Sequence, residues 1–179
     1  MGKTCLLVSF TQNRFPEGYV PTIFDTYTVS MSVDKTDVSL ELWDTAGQED
    51  YERTRPMTYP DTNVFIICFS LVCPTNLENV KNKWKSEIRS FCPKAEIILC
   101  GTKADLRDSW DSLSNKDPGC APISQKDAMQ AAKEIGAREY VECSALKAVG
   151  IKEVFETAAL AALKPQTNEP KPKRKCNLL

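Results

Sequence analysis

The sequence predicts an α/β fold, a doubly wound and mostly parallel sheet with helices on both faces. Three observations carry this. Residues 63–70 and 96–100 are continuous apolar runs, the pattern of strands covered on both faces, and 139–143 is a shorter strand run. Between the first two, apolar residues recur at helical spacing at Leu77, Val80, Trp84, Ile88 and Phe91, all five read as core. An alternating run over 38–43, read as a buried strand, stops at Asp44-Thr45-Ala46-Gly47, and 96–100 stops at Gly101-Thr102-Lys103-Ala104-Asp105. Polar turns beyond the carboxyl ends of strands are where an open α/β sheet binds its ligand.

Composition narrows the classes. The 179 residues allow one domain, 1–163, and a tail, 164–179. No apolar run is long enough to span a bilayer, and no signal peptide opens the chain. The eight cysteines form no Cys-x-x-Cys pair and several fall in apolar segments, so they read as reduced core thiols rather than a disulfide framework or zinc site. Histidine is absent, which excludes an imidazole base or ligand. The tail carries five Lys/Arg and one Glu, net +4, which leaves the domain 18 basic and 23 acidic residues, net −5. An acidic body with a basic tail points away from nucleic acid and toward an anionic surface.

The chain opens with Met1-Gly2-Lys3-Thr4-Cys5, the end of a G-x-x-x-x-G-K-[ST] phosphate loop running into a helix. Gly2 permits close approach, Lys3 can reach phosphates, the Thr4 hydroxyl can ligate Mg²⁺, and a helix N-terminus favours an anion. Gly-Lys-Thr alone is a common helix start, and its place one element ahead of the other motifs favours the phosphate reading. Residues 15–25, with two prolines and a glycine, form a loop. Residues 25–33 alternate as a strand, and 34–37 turn into the strand that ends at Trp43. Beyond it, Asp44 can hold Mg²⁺ through water, Gly47 lets a backbone N–H approach an anion, and Gln48 can orient a water. Asp-x-x-Gly by itself reads first as an Asx-type turn, with Gly47 there for its backbone freedom.

After the 96–105 strand and turn, residues 107–123 form an insert whose Asp117-Pro118-Gly119 and Pro122 break helices, so a short or irregular segment is predicted. Ser124-Gln125-Lys126-Asp127 opens a helix in capping-box style and Gly136 ends it. Residues 151–163 form an amphipathic helix through Val154, Phe155, Ala158 and Ala162. The polar, proline-rich tail does not pack, and it ends Cys176-Asn177-Leu178-Leu179. C-a-a-X with a final Leu predicts geranylgeranylation of Cys176, backed by the upstream basic cluster.

Asp44-Thr45-Ala46-Gly47-Gln48, Tyr19-x-Pro21-Thr22, Thr102-Lys103-x-Asp105, Glu142-Cys143-Ser144-Ala145-Leu146 and the insert together resemble the Rho family of small GTPases, of the Ras superfamily and the P-loop NTPase fold. The resemblance covers essentially the whole chain. Trp43, residues 67–72 and 132–137, and the Lys-Arg-Lys-Cys ending look like its Rac-like subgroup. Thr54 and Met57 stand where that family usually has leucines, which implies a weakened contact surface for regulators.

The resemblance implies bound GTP or GDP with Mg²⁺ held by Thr4, Thr22 and Asp44. Gly2, Lys3, Thr4, Cys5, Tyr19 and Gly47 would meet the phosphates, Phe15 would pack over the guanine, and the Lys103 stem would lie along the base plane beside Thr102. Asp105 would accept from guanine N1–H and the 2-amino group, which rejects adenine by roughly 10⁴ or more. Ser144, Ala145 and Leu146 would present N–H groups to guanine O6. Gln48 would be the catalytic residue, with an arginine supplied by an activating protein and worth about 10³–10⁵ in rate.

Implied partners are exchange factors, GTPase-activating proteins, dissociation inhibitors, and effectors such as kinases and actin regulators. The implied location is the cytoplasmic face of the plasma membrane. The family's first, central strand and the front half of its phosphate loop are missing from this sequence. That predicts weak GTP binding and hydrolysis near background. Two other readings stay open: a regulator- or effector-binding module without catalysis, and a protein that continues upstream of Met1.

Overall fold

The computed structural model describes residues 1–18 and 24–164. The readings at Tyr19, Thr22, the basic tail and Cys176 lie outside the described residues. Helix α1 (Lys3–Gln12) is followed by an antiparallel hairpin, β1 (Phe24–Val33) and β2 (Thr36–Thr45). Its two-residue turn, Asp34-Lys35, has φ of 50° and 65°. Two left-handed residues make the turn whose twist matches paired strands, so β2 starts at Thr36, inside the stretch read as a turn.

A parallel sheet follows, in the order β3 (Val64–Ser70), β4 (Glu96–Thr102), β5 (Glu139–Glu142). The β3–β4 crossover is α2 (Pro74–Asn79), a π-helical stretch (Val80–Trp84) and α3 (Lys85–Phe91). The β4–β5 crossover contains α4 (Ala104–Asp108), the insert and α5 (Gln125–Ile135), and α6 (Ile151–Leu163) comes last.

Side chains two apart on a strand share a face, and each face of the parallel sheet takes its own helices. Ile67, Phe69, Ile97 and Leu99 pack under Leu77, Val80 and Ile88 and under Ala128, Ala131 and Ile135 of α5. Cys68, Ile98, Cys100, Val141 and Cys143 face Leu6 of α1 and Ile151, Val154 and Phe155 of α6. Phe10 stacks on Phe155 with ring centroids 3.9 Å apart. The doubly wound α/β reading therefore holds.

The thiols on that second face are core filling. Cys100 Sγ lies 3.7 Å from Cys143 Sγ. Hydrogen bonding with Cys143 and Cys68, together with burial, pushes the Cys100 thiol well above its usual range. All cysteines among the described residues are free.

Three details of the core differ from the sequence reading. Phe91 is 58% exposed, because α3 ends there beyond the buried turn at Ile88. Trp43 is 48% exposed, so β2 is half-buried rather than buried. Its Leu40 and Leu42 pack on the α1/α6 side, while Trp43 pairs edge-on with Phe24 at 5.4 Å on the opposite face. In α6 the stripe runs through Ala159 and Ala161, and Ala162 points to solvent.

The insert is irregular as predicted, with a single 3₁₀ turn at Trp110–Ser112. Its end is tied to the end of β3 by Ala121 N–H to Val72 O at 3.2 Å and Ile123 N–H to Leu71 O at 2.8 Å. Ser124 caps α5 by accepting from the Asp127 N–H at 3.1 Å, and left-handed Gly136 stops the helix. Among the described residues β2 pairs only with β1, and β3 only with β4. Each therefore keeps one open edge.

Candidate functional site

The start of α1 and the end of β2 meet at the first half of the site. Gly2 caps the helix with φ 96° and ψ 23°, a conformation that strains any side chain. It sets α1 so that Thr4 Oγ1 donates to Asp44 Oδ2 at 2.6 Å. Asp44 is only 1% exposed, and its Oδ1 is buried without a hydrogen-bond partner. A buried carboxylate oxygen left that way is costly unless something cationic joins it. A carboxylate and a hydroxyl side by side are oxygen donors of the kind Mg²⁺ takes, so these residues fit that ion. Lys3 reaches across to the loop after β2: a Cβ placed on Gly47 would sit 3.2 Å from Lys3 Nζ. A side chain at Gly47 would crowd the Lys3 ammonium and the Met1 methyl. The Gln48 side chain is exposed at the mouth of this region.

The second half lies at the ends of β4 and β5. Leu71 N–H bonds Thr102 O at 2.9 Å, and the Thr102 hydroxyl lies between Phe69 O at 3.0 Å and Met1 O at 2.8 Å. Lys103 turns the chain in a left-handed conformation, φ 61° and ψ 40°, so that Asp105 enters the first turn of α4. Ser144 Oγ donates to Asp105 Oδ1 at 2.5 Å and accepts from Lys147 N–H at 3.1 Å. The Ser144 backbone pairs with Val149, which folds Ala145 and Leu146 into a tight loop. Gly150 closes it, because a Cβ there would lie 2.3 Å from Glu142 O. Arg107 Nη1 at 2.7 Å and Tyr140 OH at 2.6 Å both donate to Glu142 Oε1, which braces this end of β5.

A cavity of about 170 Å³ lies between the start of α1 and the loops after β4 and β5, and Lys3, Thr4, Asp44 and Gly47 do not line it. Gly2, Cys5, Phe15, Thr102, Lys103, Asp105, Ala145 and Leu146 line it together with Met1, Leu6, Leu106 and Cys143. Residues chosen from four separate stretches of sequence thus line one largely apolar slot that includes Asp105. A larger cavity, about 240 Å³, lies between α2 and α5, lined by Pro74, Leu77, Glu78, Lys81, Pro122, Ile123 and Asp127. It holds none of the convergent chemistry.

Sequence reasoning passed over a buried cluster behind Gln48. Arg55 and Tyr59 are buried. Arg55 Nε and Nη2 donate to Glu87 Oε1 and Oε2 at 2.8 and 2.7 Å, and Tyr59 OH donates to Oε1 at 2.5 Å. The remaining Nη1 donates to Ala46 O at 3.0 Å and Gln48 O at 3.3 Å. Trp84 stacks 4.7 Å from the guanidinium carbon. The bond with Glu87 pushes the Arg55 pKa up. Burial raises the Glu87 carboxyl, but the hydrogen bonds from Arg55 and Tyr59 outweigh it and leave Glu87 below its usual value. A signal was present, since Glu87 sits next to Ile88 and a turn after Trp84, on a face otherwise read as core.

Residues 1–164 match the Ras family. The chain is 50% identical over 175 residues to the GTP-binding protein Rho1 of Kluyveromyces lactis, a match that spans 97% of this chain and 84% of that protein. On that family match and that identity, the chain belongs to the Ras family of small GTPases, in its Rho branch.

Proposed function

We propose that this chain is a Rac-like guanine-nucleotide switch that binds GTP and GDP with Mg²⁺ and hydrolyses GTP slowly. The observation that supports it most is the pairing of a phosphate end, Lys3 over Gly47 with the orphaned Asp44 oxygen beside Thr4, with a base end at Asp105. Asp105 accepts from the guanine edge, and Ser144, Ala145 and Leu146 close over O6. Phe15 covers the base, and Lys3 neutralises the phosphates. Gly47 N–H donates to the terminal phosphate, and the Gln48 carboxamide orients the attacking water. Thr4, Thr22 and Asp44 would hold Mg²⁺, which supplies charge neutralisation at the phosphate oxygens.

In single-turnover assays with an activating protein present, we expect Gln48→Leu to slow hydrolysis by about 10² or more, the range of a lost water-positioning group. Nucleotide affinity should stay nearly unchanged. Hydrolysis at the wild-type rate would remove Gln48 from the reaction.

The same reading gives the chain exchange factors, activating proteins, dissociation inhibitors and effectors as partners, among them kinases and actin regulators. It also places the chain at the cytoplasmic face of the plasma membrane through prenylated Cys176 and the basic tail. Cys176→Ser should leave the protein cytosolic, and continued membrane residence would argue for another anchor. A second reading is a regulator- or effector-binding module that does not hydrolyse GTP. The open edges of β2 and β3 and the exposed Phe24, Trp43 and Met57, the last 77% exposed, favour it. Partner binding that persists with no hydrolysis even beside an activating protein would select that reading.

A further inference from the structure

The buried Arg55 cluster does more than join α3 to the loop after β2. Ala46 O and Gln48 O flank Gly47, and a single nitrogen, Arg55 Nη1, binds both. In a planar trans peptide the C=O and N–H point to opposite sides. Holding Ala46 O toward Arg55 therefore turns the Gly47 N–H away from the guanidinium. Holding Gln48 O in the same way fixes the peptide that follows Gln48. The anchor is stiff, because the other two guanidinium nitrogens used are locked on Glu87, whose Oε1 also takes the Tyr59 hydroxyl. A two-pronged Arg–carboxylate pair fixes orientation as well as distance.

We infer that Arg55 is a positioning residue that, through the carbonyls of Ala46 and Gln48, aims the Gly47 N–H at the terminal phosphate of a nucleoside triphosphate. This rests on the roles given above to Gly47 and Gln48. A diphosphate has no group at that N–H, so the clamp discriminates three phosphates from two. It also carries the state of the loop to α3 through Glu87.

The test compares GTP and GDP affinities, measured with Mg²⁺ by displacement of a fluorescent guanine nucleotide, in the wild-type chain, Arg55→Lys and Tyr59→Phe. Lysine keeps the charge and loses the fork. We expect Arg55→Lys to weaken GTP about tenfold relative to GDP, the size of one charge-assisted hydrogen bond. GDP affinity should hold. Tyr59→Phe, which keeps the ring packed on Phe65, should shift the ratio the same way by less. A ratio unchanged in both variants, or GTP and GDP weakened equally, would overturn the inference and leave the nucleotide site standing. A wild-type chain that binds neither nucleotide would instead overturn the site reading, and this inference with it.

Discussion

Asp105 already has one oxygen engaged by the Ser144 hydroxyl at 2.5 Å, and the cavity lies against the same residue. On the proposed reading, its capacity to accept, rather than its charge alone, decides which base enters. Guanine offers two donors to a carboxylate, whereas an amide in its place offers a donor of its own. We therefore expect Asp105→Asn to lose guanine preference by roughly 10⁴ and to gain xanthine, whose 2-oxo group suits the amide. Nucleotide competition assays read this directly, and an unchanged preference would remove Asp105 from base recognition. Asp105, Asp44 and Lys3 were legible in the sequence because each stands in a short motif where the chemistry needs that residue type. Arg55 was not, because its partners lie 32 residues away at Glu87 and on two backbone carbonyls, and carbonyls leave no trace in sequence.

At the scale of elements, the tie between the loop after β2 and α3 is an ion pair buried beside Tyr59, Glu87 with Arg55. The folded Glu87 carboxyl titrates below its ordinary value of 4.5. Its stabilising effect is therefore fully present above 4.5 and is lost as pH falls through the lower folded value. Glu87→Gln should melt at a lower temperature than wild type at neutral pH. The gap should narrow only below 4.5 in pH-resolved melting curves, and a gap that closed between pH 5 and 7 would contradict the assignment. The strands and helices themselves were largely legible from period and punctuation. Trp43 and Phe91 were misread because an apolar residue at the correct spacing still goes to solvent when nothing covers that face or when the helix ends under it.

For the whole molecule, β2, which carries Asp44, and β3 each keep one edge without a strand partner among the described residues. Strand edges that lack partners leave ladder groups to water and loosen what they carry. We accordingly expect weak nucleotide binding. That both faces of the parallel sheet are covered was legible in the continuous apolar runs of β3 and β4, whereas which helix takes which face depends on packing that no local pattern encodes. Tight, Mg²⁺-dependent GTP binding would show that the open edges cost the site nothing. The decisive measurement is an equilibrium titration of the purified chain with GTP, GDP and ATP, with Mg²⁺ and again with the metal chelated. We expect guanine nucleotides alone to bind, and their binding to fall on chelation. Equal affinity for ATP, or binding indifferent to Mg²⁺, would contradict a guanine-nucleotide site built on Asp105 and Asp44.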